Sequence, residues 1–250
     1  MTFLEKIKSF LSRKSKSDFA AERRKCIRFR PSKQDPLFGE IPSLESGKVR
    51  RAVSDLSLVA AAVQITKDET EHYKPKQRIP IALFVEGKKI PYETEVIRIE
   101  KDKIVLRYLD PTEEKSHVLS TYFMKILGRT LRKGTLKEVE KSNGPSIWVH
   151  GEYNSDLFAW LDQTNKSIIK MLYLFADNLL DYKPNLGIRT GIVQRKLYSD
   201  SLDFAKREEN SRIYDPKPKQ EIINLARITI ENANLGNNLK NQIINLFSNR

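Results

Sequence analysis

Three segments, Arg78 to Val85, Ile90 to Ile99 and Ile104 to Leu109, alternate apolar and polar residues, separated only by Glu86-Gly87-Lys88-Lys89 and Asp102-Lys103. A period of two sets Ile79, Ile81, Leu83 and Val85 on one face, which other strands must cover. Leu56 to Ile65 reads as a further strand, apolar on both faces around Ala60 to Ala62 and therefore buried. Cys26 to Arg30 suggests a short one that stops at Pro31. At least four strands at close spacing with turns between them predict a meandering antiparallel barrel. Residues 31 to 48 contain Pro31, Pro36, Gly39, Pro42 and Gly47 and read as a loop. From Ser120 to Leu131 the period becomes helical, with Tyr122, Phe123, Ile126, Leu127 and Leu131 as the stripe of a helix closing one barrel mouth.

Lys141-Ser142-Asn143-Gly144-Pro145 is the best boundary in the chain. Beyond it a long helix is expected from Asn154 or Ser155 to Leu180, because positions 157, 158, 160, 161, 168, 169, 171, 172, 174, 175, 179 and 180 are apolar. Helices are also expected from about Ser199 to Asn210, from Lys219 to Asn232, and after Gly236 or Asn237. The predicted class is therefore α+β: an amphipathic N-terminal helix and linker over 1–19, a β-barrel domain with its closing helix over 20–141, and an all-α helical domain over 146–250. The amphipathic helix, Phe3 to Leu11, is too short to stand alone in water. It docks on the protein, a partner or a membrane surface.

The net charge of +13 is unevenly placed. Residues 1 to 141 carry 31 Lys and Arg against 20 Asp and Glu, whereas residues 142 to 250 carry 14 against 12. An anionic partner is thus expected on the first half. There, Glu22-Arg23-Arg24-Lys25-Cys26-Ile27-Arg28-Phe29-Arg30 crowds arginines around a short apolar pattern. Further on, Ser54-Asp55-Leu56-Ser57 offers an acid and hydroxyls ahead of an apolar run. Guanidinium groups grip phosphates and guanine edges through paired donors, and a carboxylate with a hydroxyl accepts from guanine nitrogens.

These two stretches resemble the PilZ domain family, whose barrel binds the bacterial messenger cyclic di-GMP. Arg24 and Arg28 match its Arg-x-x-x-Arg motif; Asp55 and Ser57 match Asp/Asn-x-Ser-x-x-Gly, with Ala60 standing where the family has glycine. The resemblance covers roughly residues 20 to 135. It implies a non-enzymatic second-messenger receptor in which Arg24 and Arg28 clamp phosphate and guanine. Arg23 and Arg30 would add cations, and Asp55 and Ser57 would read a guanine edge. A Cβ at position 60 would cost on the order of 1 kcal/mol if the glycine served a positive φ or a close backbone approach.

The residues also exclude several classes. No run approaches a membrane span, and one cysteine, Cys26, permits no internal disulfide and suits a reducing cytoplasm. His72, His117 and His150 lie in separate segments without a second metal ligand nearby. No phosphate-binding Gly-rich loop and no nucleophile motif occurs. Two alternatives stay open: a PilZ-like interaction scaffold that binds no nucleotide, and a basic barrel that stacks nucleic-acid bases on Phe29, Tyr73, Phe84, Tyr92, Tyr108 and Tyr122. A protein partner or self-association would use the C-terminal part.

Overall fold

The computed structural model describes residues 28–31, 36–43, 47–135, 145–153, 155–193 and 212–248. The helix expected over residues 3 to 11, the linker after it, Arg23, Arg24 and Cys26, and the helix expected near Ser199 to Asn210 lie outside the described residues. The chain divides into two compact units, Met1–Tyr122 and Phe123–Arg250.

The first unit is a closed six-stranded barrel of β1 (Phe38–Ser43), β2 (Gly47–Leu56), β3 (Ala60–Gln64), β4 (Arg78–Val85), β5 (Lys88–Glu100) and β6 (Lys103–Tyr108), in the order β1-β2-β3-β6-β5-β4. Alternation places Leu56, Ala61, Leu106 and Val96 in one row across β2, β3, β6 and β5, all essentially inaccessible to solvent. Such rows form the core, and burial of side chains of this size is the main stabilising force. The β4–β5 turn uses Glu86 and Gly87, both at positive φ, as a tight hairpin requires.

Residues 31 to 48 are not all loop, since β1 lies within them and closes the barrel by pairing with both β2 and β4. Its Pro42 lies beyond the three-residue pairing with β4, and Gly39 is accepted because a Cβ there would come within 2.9 Å of Ile81 Cδ1.

α1 (Glu113–Thr130) begins in the first unit and ends in the second. The second unit contains a seven-stranded antiparallel sheet of β7 (Arg132–Lys133), β8 (Ile147–Gly151), β9 (Ser155–Leu161), β10 (Ile168–Phe175), β11 (Asn178–Lys183), β12 (Gly187–Val193) and β13 (Arg212–Tyr214). Two helices follow, α2 (Gln220–Glu231) and α3 (Asn237–Ser248), close to where the sequence predicts them. α1 and α2 approach closely at Gly128, where a Cβ would lie 2.2 Å from the Thr229 carbonyl oxygen.

The α+β class holds, but the C-terminal part is not all-α. The segment from Ser155 to Leu180 forms strands β9 and β10 and enters β11 instead of a long helix. Its paired apolar positions fit a strand buried on both faces as well as a helix stripe, and local turn chemistry decides between them. Asp162 accepts from the Thr164 and Asn165 amides at 2.8 and 3.0 Å, ending β9. Ala176 and Asp177 then take positive φ and fold β10 back on β11. Among the described residues no helix is long and apolar enough to cross a membrane.

Candidate functional site

Phe29 joins the barrel through a two-way backbone bridge to Leu56, its amide donating to Leu56 O at 2.7 Å and its carbonyl oxygen accepting from the Leu56 amide at 2.8 Å. Phe29 is buried and packs edge-on against Tyr122 at 5.6 Å. Because side chains alternate, burying Phe29 and Leu56 inward sends Arg28, Arg30 and Asp55 to the outer surface. Two segments that are 25 residues apart thereby share one rim.

Asp55 continues a row along the outside of the barrel. It stands opposite Ala62, Ala62 opposite Val105, and Val105 opposite Arg98. The parallel row begins at Ala60, which faces Arg107, itself bonded to Glu95 at 2.8 Å. Ala60 is half-buried and Ala62 is buried beneath the longer side chains around it.

Asp55 is half-buried, and that burial raises its carboxyl above the ordinary aspartate range. Arg28, Arg30, Lys103 and Arg98 pull the other way through space, and burial outweighs them. Among the described residues no hydrogen bond reaches the Asp55 carboxylate, which stands among four cations. Further donors there would relieve it.

Ser57 has a different task. Its hydroxyl accepts from the Val59 and Ala60 amides at 3.3 and 3.1 Å and donates to Ala60 O at 3.2 Å, so it builds the turn that carries Asp55 from β2 into β3. Ala60 opens β3 without positive φ, unlike Ala176 or Lys166. No left-handed backbone is therefore imposed on the Cβ at position 60. Arg28 and Arg30 are both exposed beside Asp55, while Arg23 and Arg24 lie outside the described residues.

Arg98, Lys103 and Glu100 were not foreseen. Arg98 and Lys103 hold the two oxygens of Glu100 at 2.9 and 3.0 Å. Their place on the same outer face as Asp55 depends on pairing between strands distant in sequence, which no local motif encodes. The aromatic residues considered for base stacking are mostly engaged: Phe29, Tyr73, Tyr92, Tyr108 and Tyr122 are buried. Phe84 has Arg50 4.7 Å and Lys89 5.6 Å from its ring centre. Among the described residues no cluster of acids, histidines or cysteines could hold a metal.

No protein-family model and no curated protein matches the chain. Several solved structures do. The PilZ domain with c-di-GMP of YcgR from Escherichia coli aligns at 14% identity and TM-score 0.34, over 38% of this chain and 84% of that one. YcgR from Escherichia coli in complex with c-di-GMP aligns at 16% identity and TM-score 0.34, over 42% and 46% of the two chains. The Borreliella burgdorferi PlzA protein in complex with c-di-GMP aligns at 10% identity and TM-score 0.27, over 72% of this chain and 86% of that one. Likeness at this level carries neither ligand nor mechanism over to this chain, and both must rest on its own residues.

Proposed function

We propose that the chain is a non-enzymatic, cytoplasmic receptor for cyclic di-GMP, the ligand seated on the outer barrel face between Arg28 and Arg30 on one side and Asp55 on the other. The observation that carries this reading is the Phe29–Leu56 bridge, which sets two exposed arginines beside a half-buried carboxylate. Arg28 and Arg30 supply charge-assisted donors to a phosphodiester, with Arg23 and Arg24 as further cations from the segment before them. Asp55 accepts from the ring and exocyclic N–H groups of a guanine, the donors its carboxylate lacks. Ser57 fixes the turn, and the short side chain of half-buried Ala60 lies at its far end. The second unit offers a surface for a partner or for self-association.

The buried aromatic residues favour this reading over single-stranded nucleic acid, which needs open rings to stack on. Isothermal titration of the full chain with cyclic di-GMP tests it, with Arg28→Ala alongside. Saturable binding that Arg28→Ala weakens about tenfold or more is the expected result. Absence of heat and of any thermal shift at high micromolar ligand would leave a scaffold without nucleotide.

A further inference from the structure

We infer that Glu100 is a resident competitor for ligand phosphate, holding Arg98 and Lys103 as a second cationic subsite on the outer barrel face. This rests on the cyclic dinucleotide reading above. Arg98 shares a row with Asp55, separated from it only by Val105 and Ala62. Three steps between strands, each about 4.8 Å, set their backbones roughly 14 Å apart along the sheet. The reach of an arginine shortens that gap to the scale of a dinucleotide. Both Arg98 and Lys103 already act on the Asp55 carboxyl, so they belong to the same electrostatic field as Arg28 and Arg30.

The two oxygens of Glu100 divide between the two cations, 2.9 Å to Arg98 and 3.0 Å to Lys103. A phosphodiester offers the same arrangement, two oxygens sharing one negative charge. Glu100 is about one-third exposed and Arg98 about half exposed, at 34% and 51% of their side chains. Exposed pairs of this kind are weak, so their exchange for phosphate is easy. The Lys103 hydrogen bond holds the Glu100 carboxyl below its usual range against desolvation, and the charges of Arg98 and Lys103 add to it. Glu100 consequently stays ionised at neutral pH and occupies the cations that phosphate would use.

Neutralising this carboxylate releases both cations while leaving Asp55, Arg28 and Arg30 in place. The test compares cyclic di-GMP affinity by isothermal titration for the wild-type chain, Glu100→Gln, Glu71→Gln, and Glu100→Gln combined with Arg98→Ala. Thermal melts confirm that each variant folds. Glu71 is exposed on the short turn Asp68–His72, so its substitution makes the same change in net charge away from the row. Glu100→Gln should tighten binding about threefold, the factor expected for one exposed ion pair. Glu71→Gln should change it much less, and adding Arg98→Ala should abolish the gain. The inference is overturned if Glu100→Gln binds no tighter than Glu71→Gln, or if the gain survives loss of Arg98. Wild-type binding without a gain removes this inference alone, whereas no binding by either protein removes the receptor reading with it.

Discussion

Asp55 and Glu69 are both half-buried carboxylates near arginines in the first unit, and burial works against the ionisation of each. Glu69 overcomes it. Arg51 grips both of its oxygens, at 2.7 and 3.3 Å, and the Thr66 amide and hydroxyl add bonds at 2.8 and 3.1 Å. Its carboxyl ends below the usual range. Asp55 has four cations in its field, yet its carboxyl ends above the usual range. One acid is completed by the fold and pins the segment Asp68–His72 to β2; the other, among the described residues, takes no hydrogen bond. Proteins tolerate such incompletion where a ligand finishes the site.

Four substitutions probe that contrast, the largest effect first. Arg28→Ala should cost about 1.5 to 3 kcal/mol of cyclic di-GMP binding, read by titration, with a much smaller change in unfolding free energy. Glu69→Ala should do the reverse, lowering stability by about 1.5 kcal/mol in urea unfolding with ligand affinity nearly unchanged. A large loss of affinity there would erase the distinction between the two acids. Ser57→Ala removes the hydroxyl that ties the β2–β3 turn. About 1 kcal/mol of stability should go with it, and the accompanying loss of binding should be smaller than for Arg28→Ala.

The fourth effect is the smallest and has a defined sign. With its carboxyl raised in the folded chain, Asp55 binds a proton more readily there than in the unfolded chain. Its ionised form therefore lowers stability, increasingly as pH rises from the ordinary aspartate range through the folded pKa. Asp55→Asn should melt at a higher temperature than the wild type at neutral pH. The advantage should close toward about pH 3, where both forms are neutral, and ligand binding should weaken throughout. For Glu69 the sign is opposite: its contribution is present at neutral pH and is lost as pH falls through its lowered pKa.

Much of the barrel was legible because its strands are half-exposed and alternate cleanly; Arg78–Val85 forms as predicted, residue for residue. β1 was hidden because Pro36, Gly39 and Pro42 carry local turn signals, while the pairing that makes it a strand comes from β2 and β4. In the second unit the sheet strands β10 and β11 are mostly buried, so the period that separates strand from helix is blurred. Asp162 and the Ala176-Asp177 pair were the available corrections. At the site, Asp55 and Arg28 could be named from motif spacing. Arg98, Glu100 and Lys103 could not, since only inter-strand register brings them to the outer face that carries Asp55. Of the two reasons for a glycine at position 60, a left-handed backbone or a close approach, the first does not apply, since β3 supplies an extended backbone.

The central claim is that the Asp55 carboxylate is completed by the ligand. Carboxyl-carbon NMR titration of Asp55, with and without saturating cyclic di-GMP, measures this directly. Asp55 should titrate above the ordinary aspartate range in the free chain and move to lower pH when guanine N–H groups donate to it. An Asp55 curve that the bound ligand leaves unmoved would contradict the account.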